Sequence, residues 1–413
     1  MDLIILGAGE VGNQLAGTLC TKSNNVVVVD TSTDLLERLQ ERLDVMTVTG
    51  DCANFSVLKK AGVHHARLLI AVSGSDASNV LGCQIARHFG VGKTICRLSS
   101  TGFFSSEDGF PPSSAGIDHL IFPGQECVDR IITTLRHRSI VETLRLNAPA
   151  AQMSALRIAP ASPLAGTKLR NFPDKALLKN IRVAAVVRRQ QLLTPRGETV
   201  FVPGDEVYVA GSDEDIAKLY ELAHPDSKSS ALIVLAGASR ISGRLAAELV
   251  AQGYTVRIIE EDLHAGEQLL DELGENVMVI NGDPTKADVL EEAGVDECGA
   301  FIAVLRNDET NILSCMVAKK MGAQKVVTIT NKAEYMDIVP AMTTIDCGFS
   351  PRLVAVNSVL NLLGSETARV HAILHRVHAY LYEFEVQPGA KVCGKRIADY
   401  ESAETLFLTV LQK

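Results

Sequence analysis

None of the nine cysteines in this chain forms a CxxC pair, and they are scattered along 413 residues. That spacing fits reduced, mostly buried thiols in a cytosol better than disulfides or zinc. No apolar run approaches the roughly 20 residues needed to span a bilayer. The runs present, Val26–Val29, Leu68–Val72 and Ala231–Ala238, suit buried parallel strands instead. The start, Met1-Asp2, lacks a basic n-region, so no signal peptide is expected. Excess positive charge is also missing. A net charge of −9 argues against nucleic acid and against adsorption on anionic lipid. Attachment to a membrane would need a protein partner, and the expected location is cytoplasmic. What remains is the composition of a soluble globular protein, 46% hydrophobic and 22% charged, long enough for several domains.

The chain says nearly the same thing twice. Leu3–Gly12 reads LIILGAGEVG, and Leu232–Ser242 reads LIVLAGASRIS. Asp30 closes VVVVD and Glu260 closes VRIIE, each 23 positions after the first fingerprint glycine. Gly50-Asp51 and Gly282-Asp283 follow, then KKAGV and EEAGV, then SDASNVL and NDETNIL. Two copies of one unit, fused and diverged, decide the architecture before any local reading.

Within each copy, strand runs alternate with helical patterns, which means βαβ units and a parallel sheet covered on both faces. In the first copy helices are expected over 12–21, 34–43, 54–61 and 76–89, and 101–116 is expected to be a loop. Pro123 opens a helix over 125–146, since proline suits a first helical turn. The stretch 150–223 changes style to short strands with turn signals and a closing helix over 213–222. Residues 224–230 (HPDSKSS) read as a polar linker. The expected plan is α/β: two Rossmann-like doubly wound domains, 1–123 and 231–350, each followed by a connector helix, 124–149 and 351–378, and a small α+β domain. The first small domain covers 150–223. The second, 379–413, stops about half way by comparison, so its last strands are either truncated or completed by other chains.

Gly7, Gly9 and Gly12 form G-x-G-x-x-G between a strand and a helix. The first permits a tight turn, the second lets a pyrophosphate approach the backbone, and the third allows close helix–strand packing. The helix start after Gly9 (Glu10, Val11) supplies N–H groups for phosphates, with Ala8 in the turn. Asp30 sits where a carboxylate accepts ribose hydroxyls. Thr31, Ser32 and Thr33 bring no arginine for a 2′-phosphate, which favours NAD(H) or an adenine nucleotide over NADP(H). Asp51, Cys52 and Ala53 follow the third strand, and Ser73, Asp76 and Asn79 the fourth, at the carboxyl ends where such sheets bind ligands. Asp76 either touches ligand or starts its helix. Arg97 on the fifth strand reaches a phosphate or pairs with Asp76; its counterpart by register is Ile329.

The second fingerprint is Gly237, Ser239, Ser242. A serine at its second position places a Cβ where phosphates would approach. Glu260, Asp283, Asp308 and Asn311 keep their places, while Arg240 and Arg244 add positive charge. This copy is either a weakened nucleotide site or a structural remnant. His371, His375 and His378 are spaced i, i+4, i+7 on an expected helix, a pattern that can hold metal but here reads better as interface or solvated histidines. His64-His65 reads as surface. An NAD-dependent oxidoreductase is the alternative function. It needs a proton donor or acceptor beside a nicotinamide, and the small domains, poor in aromatics and histidine, offer no such arrangement.

With the fingerprint, Asp30, GDCANFSVLKKAGV, SDASNVL and the PGD-containing small domain laid out twice, the chain resembles the TrkA family. Its halves resemble an RCK (KTN) domain followed by a TrkA-C domain. The resemblance implies a non-catalytic, peripheral subunit on the inner face of the cell membrane that docks on a membrane K⁺ transporter (TrkH- or TrkG-like). It would gate that partner in response to NAD(H), ATP or ADP. It implies rings of eight such domains, hence a homotetramer. It also places Gly7, Gly9, Gly12, Asp30, Asp51, Asp76, Asn79 and Arg97 around the first site. In related rings an arginine at the fourth fingerprint position meets a terminal phosphate; that position holds Glu10 here, and Arg240 in the second copy.

Overall fold

The computed structural model describes residues 2–20, 24–104, 111–137, 139–145, 152–189, 191–225, 230–332, 335, 338–339, 342, 344–363, 368–374, 379–384, 386–391 and 393–396. In chain order the first copy comprises β1 (Asp2–Leu6), α1 (Glu10–Leu19), β2 (Asn25–Asp30), α2 (Thr33–Gln40), β3 (Met46–Thr49), α3 (Phe55–Lys60), β4 (Leu68–Ala71), α4 (Asp76–His88), β5 (Lys93–Arg97) and β6 (His119–Ile121). Then come α5 (Pro123–Leu135), β7 (Ile140–Arg145), β8 (Gln152–Arg157), α6 (Lys175–Asn180), β9 (Arg182–Arg188), β10 (Gln191–Leu193), β11 (Glu206–Gly211) and α7 (Asp213–Ala223). The second copy runs β12 (Leu232–Ala236), α8 (Arg240–Ala251), β13 (Thr255–Glu260), α9 (Leu263–Leu273), β14 (Val277–Asn281), α10 (Ala287–Glu292), β15 (Ala300–Ala303), α11 (Asp308–Met321), β16 (Val326–Ile329) and β17 (Cys347–Phe349). It is followed by α12 (Pro351–Leu363), β18 (Ala368–Leu374) and β19 (Ala379–Phe384).

The chain divides into two compact units. One holds residues 1–126 with 351–365, and the other holds 127–350 with 366–413. In the first unit the sheet order is β3-β2-β1-β4-β5-β6, with all neighbours parallel. Leu3–Leu6 and Leu68–Ala71 are buried throughout, as strands covered on both faces must be. The order reverses between β1 and β4, which opens a crevice at their carboxyl ends. Helices start where side chains satisfy otherwise unpaired N–H groups: Ser32, Asn54 and Ser75 accept from the first turns of α2, α3 and α4. Helix α12, which follows the second sheet in sequence, packs against α1 of the first copy.

The second unit contains the repeat sheet, β14-β13-β12-β15-β16-β17, and an antiparallel sheet, β10-β9-β11-β8-β7. The core of the latter gathers Phe172, Phe201, Ile216 and Tyr220. Each sheet repeats one anchoring device. Asp118 accepts from Thr94 N and Arg87, and Asp346 accepts from Val326 N and Lys319 Nζ. Beside them, Lys93 donates to the carbonyl of Leu362 at the end of α12. The buried Lys325 donates to those of Thr134 in the last turn of α5, His137 just after it and Ile140 at the start of β7. Cations are favoured at helix C-termini, where carbonyls lack partners.

Two expectations require correction. The helix expected over 125–146 ends at Leu135, and Ile140–Arg145 is a strand paired with β8. Pairing with β8 overrides helical propensity there. Likewise α12 ends at Leu363 and His371 lies in β18, so a helical face shared with His375 and His378 is not formed. Those two histidines lie outside the described residues, as does 397–413, most of the expected second small domain. Among the described residues no cluster of His, Cys, Asp and Glu could hold a metal ion.

Candidate functional site

Strand β1 delivers the chain to Gly7, whose φ of +105° belongs to the region that favours glycine. A Cβ on Gly7 would lie 2.8 Å from Ser73 Cα, and one on Gly12 would lie 1.8 Å from the Gly7 carbonyl oxygen. Both glycines are therefore demanded by packing. Gly9 differs: a Cβ there would meet nothing within 4 Å. It caps α1 without any side-chain hydrogen bond, so no side chain caps the helix start, which carries a partial positive charge. Asp30 completes the turn. Its Oδ2 accepts from Ala8 N at 2.6 Å and its Oδ1 from Ser32 N at 2.8 Å. Each oxygen keeps lone-pair capacity for a ribose hydroxyl.

The other expected residues surround this crevice in different roles. Asp51 Oδ1 accepts from Ala53 N and closes its own turn. Cys52 is buried, with its thiol against Val29 O. Burial, then the charges of Asp30 and Asp51, push that thiol up to about 12, so only its backbone can serve a ligand. Val11 lies in the core. Asn79 is fully buried and holds the rim together. Its Oδ1 accepts from Ser73 N and Oγ, and its Nδ2 donates to Ser73 O and Arg97 O. The amide is fully used within the protein, so its part is to position Ser73 and Arg97. Asp76 follows the cap Ser75, and both its oxygens accept from Ser99. Burial lowers the pKa of Arg97, opposed by the charge of Asp76. Among the described residues no carboxylate stands within ion-pair distance of Arg97.

The second copy repeats the frame and closes the cradle. Gly237 has φ +107°, and Glu260 accepts from Ala238 N and Asp262 N. Asn311 bridges Leu305 and Ile329 as Asn79 bridges Ser73 and Arg97. Asp308 accepts from Asn331 N and Lys332 N, and Asp283 from Thr285, whose hydrogen bonds hold its carboxyl below the usual range. At the fingerprint, however, Ser239 and Ser242 form a reciprocal capping box, each side chain accepting from the other's N–H. Ser242 Oγ also donates to Gly237 O. Donors that have no side-chain cap in the first copy are consumed here by the helix's own serines. The divergence thus sets a capped helix start in the second copy against an uncapped one in the first. Arg240 opens α8 where Glu10 opens α1.

Sequence reasoning missed one contact beside the turn of the first copy. Arg352, the second residue of α12, forms an ion pair with Glu10. No local motif flagged it, because the two lie in different halves of the repeat. The available signal was a cation in a helix's first turn, against the macrodipole.

Comparison with known proteins agrees with this duplicated geometry. The TrkA-N domain model matches residues 3–123 and 233–350, and the TrkA-C domain model matches 153–224. The chain belongs to the TrkA family. It is 34% identical over 406 residues to the Trk system potassium uptake protein TrkA of Halomonas elongata, covering 97% of this chain and 88% of that one. It is 31% identical over 362 residues to the protein of the same name from Vibrio alginolyticus, covering 87% and 78%. Among solved structures, the GsuK RCK domain superimposes with a TM-score of 0.65 at 22% identity, over 89% of this chain and 79% of that one. The GsuK channel bound to NAD gives 0.64 at 22%, over 88% and 63%. The two TrkA-N matches end at or beside the starts of α5 and α12, so the swap of α12 onto the first copy lies outside the repeated unit itself. Among the described residues no helix of this TrkA-family chain is long and apolar enough to cross a membrane.

Proposed function

We propose that the chain is a non-catalytic regulatory subunit of a Trk-type potassium uptake system, reading an adenine nucleotide in its first copy. NAD(H) is the leading ligand and ATP or ADP the alternative. The observation that carries this is the open, uncapped N-terminus of α1 at Gly9, framed by Asp30 and Arg97. Phosphates are suited to the helix N–H groups and Arg97, and the ribose diol to Asp30. A 2′-phosphate would meet the Asp30 charge, which disfavours NADP(H). Related folds support the choice: solved GsuK structures carry NAD in one case and ADP in another. The membrane K⁺ transporter, the eight-domain ring built from four chains, and the location on the inner face of the membrane complete the proposal. Coupling of about 1–3 kcal/mol per site suffices for such a switch, and it must be reciprocal.

Thermal denaturation of the full chain with NADH, ATP, ADP and NADPH tests the ligand class. NADH, ATP or ADP at about 100 times its Kd is expected to stabilise by about 2.7 kcal/mol, with NADPH at least about tenfold weaker in affinity. No shift with any adenine nucleotide at millimolar concentration would overturn the reading.

A further inference from the structure

Glu10 presents a problem for a phosphate site. It is the first residue of α1, next to the open space at Gly9, and its carboxylate adds negative charge where phosphates would sit. Its partner is Arg352, from the helix that follows the second sheet but packs on α1. The two side chains remain 52% and 35% exposed, so neither is locked in the core. Nη1 of Arg352 is the atom that meets the Glu10 carboxylate. A guanidinium therefore stands beside the cradle, paired with Glu10. Its place in the first turn of α12 opposes the helix dipole, so an anion from elsewhere must hold it there. Glu10 supplies that anion within the chain, and a phosphate is a stronger, bidentate partner for the same fork.

We propose that Arg352 is a phosphate-binding residue of the first nucleotide site, contributed by the second half of the chain and held by Glu10 until ligand arrives. On binding, the guanidinium is shared between Glu10 and a phosphate oxygen, and α12 is drawn to α1 through the ligand. The two halves thereby divide the labour. The first provides the cradle and ribose acid, and the second provides a cation. The inference rests on the nucleotide reading of the first site.

The test measures affinity of the full chain for ADP and NADH in wild type, Arg352→Gln, Glu10→Gln and the double variant, at two salt concentrations. Arg352→Gln is expected to weaken binding about tenfold or more, and to flatten the salt dependence. Glu10→Gln is expected to tighten binding several-fold by removing repulsion. The double variant should still bind about tenfold more weakly than Glu10→Gln alone, because the phosphate contact is lost in either background. Recovery of the double variant to the affinity of Glu10→Gln would overturn the contact, leaving Arg352 as a neutraliser of Glu10 only. Unchanged affinity in Arg352→Gln would overturn the proposal outright. Arg352→Lys, which keeps charge and loses the fork, should fall between wild type and Gln; equal loss in Lys and Gln together with a lowered Tm in both would assign Arg352 to folding and also overturn it. Failure of the wild type to bind any nucleotide is a separate result, since it removes the site reading itself.

Discussion

Gly12→Ala is expected to destabilise the first unit by about 3 kcal/mol or more and to lower its Tm by about 6–12 °C. The added methyl would lie 1.8 Å from the Gly7 carbonyl oxygen, a distance no rotamer can relieve because the clash involves Cβ itself. Helix α1 must then stand off β1, breaking the contacts of Val11, Leu15 and Ala16, all buried on this face. The second copy is the internal control. Ser242 already carries a side chain at the matching position and uses it to bond Gly237 O. Ser242→Ala should therefore cost about 1–3 kcal/mol, the value of the hydrogen bonds that Ser242 Oγ makes with Ser239 N and Gly237 O, with no steric clash. Differential scanning calorimetry reads both. A Gly12→Ala protein within about 1 kcal/mol of wild type would mean that the strand–helix spacing is softer than the packing indicates.

Gly9→Asp is expected to do the opposite: leave folding intact and remove nucleotide binding, with affinity falling about 100-fold or more. The Cβ has open space and the backbone is in an ordinary extended conformation, with φ −60°. Aspartate is moreover a good helix N-cap and should stabilise α1 by up to about 1 kcal/mol. What it excludes is the ligand, by placing a carboxylate on the donors a phosphate would use. A Tm at or slightly above wild type, with no ligand-induced rise, is the expected pair of readings. Retention of the ligand-induced rise would show that nucleotide does not use this turn.

These two glycines illustrate what was legible beforehand. The doubling, the alternation of strands and helices, and the acids at Asp30 and Glu260 could be read because each leaves a periodic or positional trace: buried strands as continuous apolar runs, a turn as glycines at fixed offsets. The different parts of Gly9 and Gly12 were also legible in kind, since the fingerprint's geometry dictates them. The side-chain bookkeeping of the rim was not. Asn79 looked like a ligand residue, yet its amide is fully used in holding Ser73 and Arg97. Nothing in the pattern SDASNVL separates a pin from a contact.

The connectors were misread for a related reason. The stretch 140–145 has no turn signal before it strong enough to end a helix, and only its pairing with β8 decides the matter. Arg352 escaped because its meaning depends on packing between distant segments, α12 on α1. Lys93 and Lys325 escaped in the same way: each is an ordinary lysine in sequence that becomes a cap for a helix end more than 180 residues away. In the second fingerprint, two serines read as a loss of glycine. The structure shows them as a gain of two mutually satisfied caps, which accounts for why that copy can keep its fold while giving up the open cradle.

The central claim is that the two copies are unequal because one leaves its helix N-terminus open and the other caps it. Calorimetric titration of NADH and of ADP into the full chain tests this most directly, run on wild type, Gly9→Asp and Ser239→Asp. The account predicts one tight site per chain in wild type, abolished by Gly9→Asp and untouched by Ser239→Asp. Two equivalent sites per chain, or binding that survives Gly9→Asp and is lost with Ser239→Asp, would contradict it.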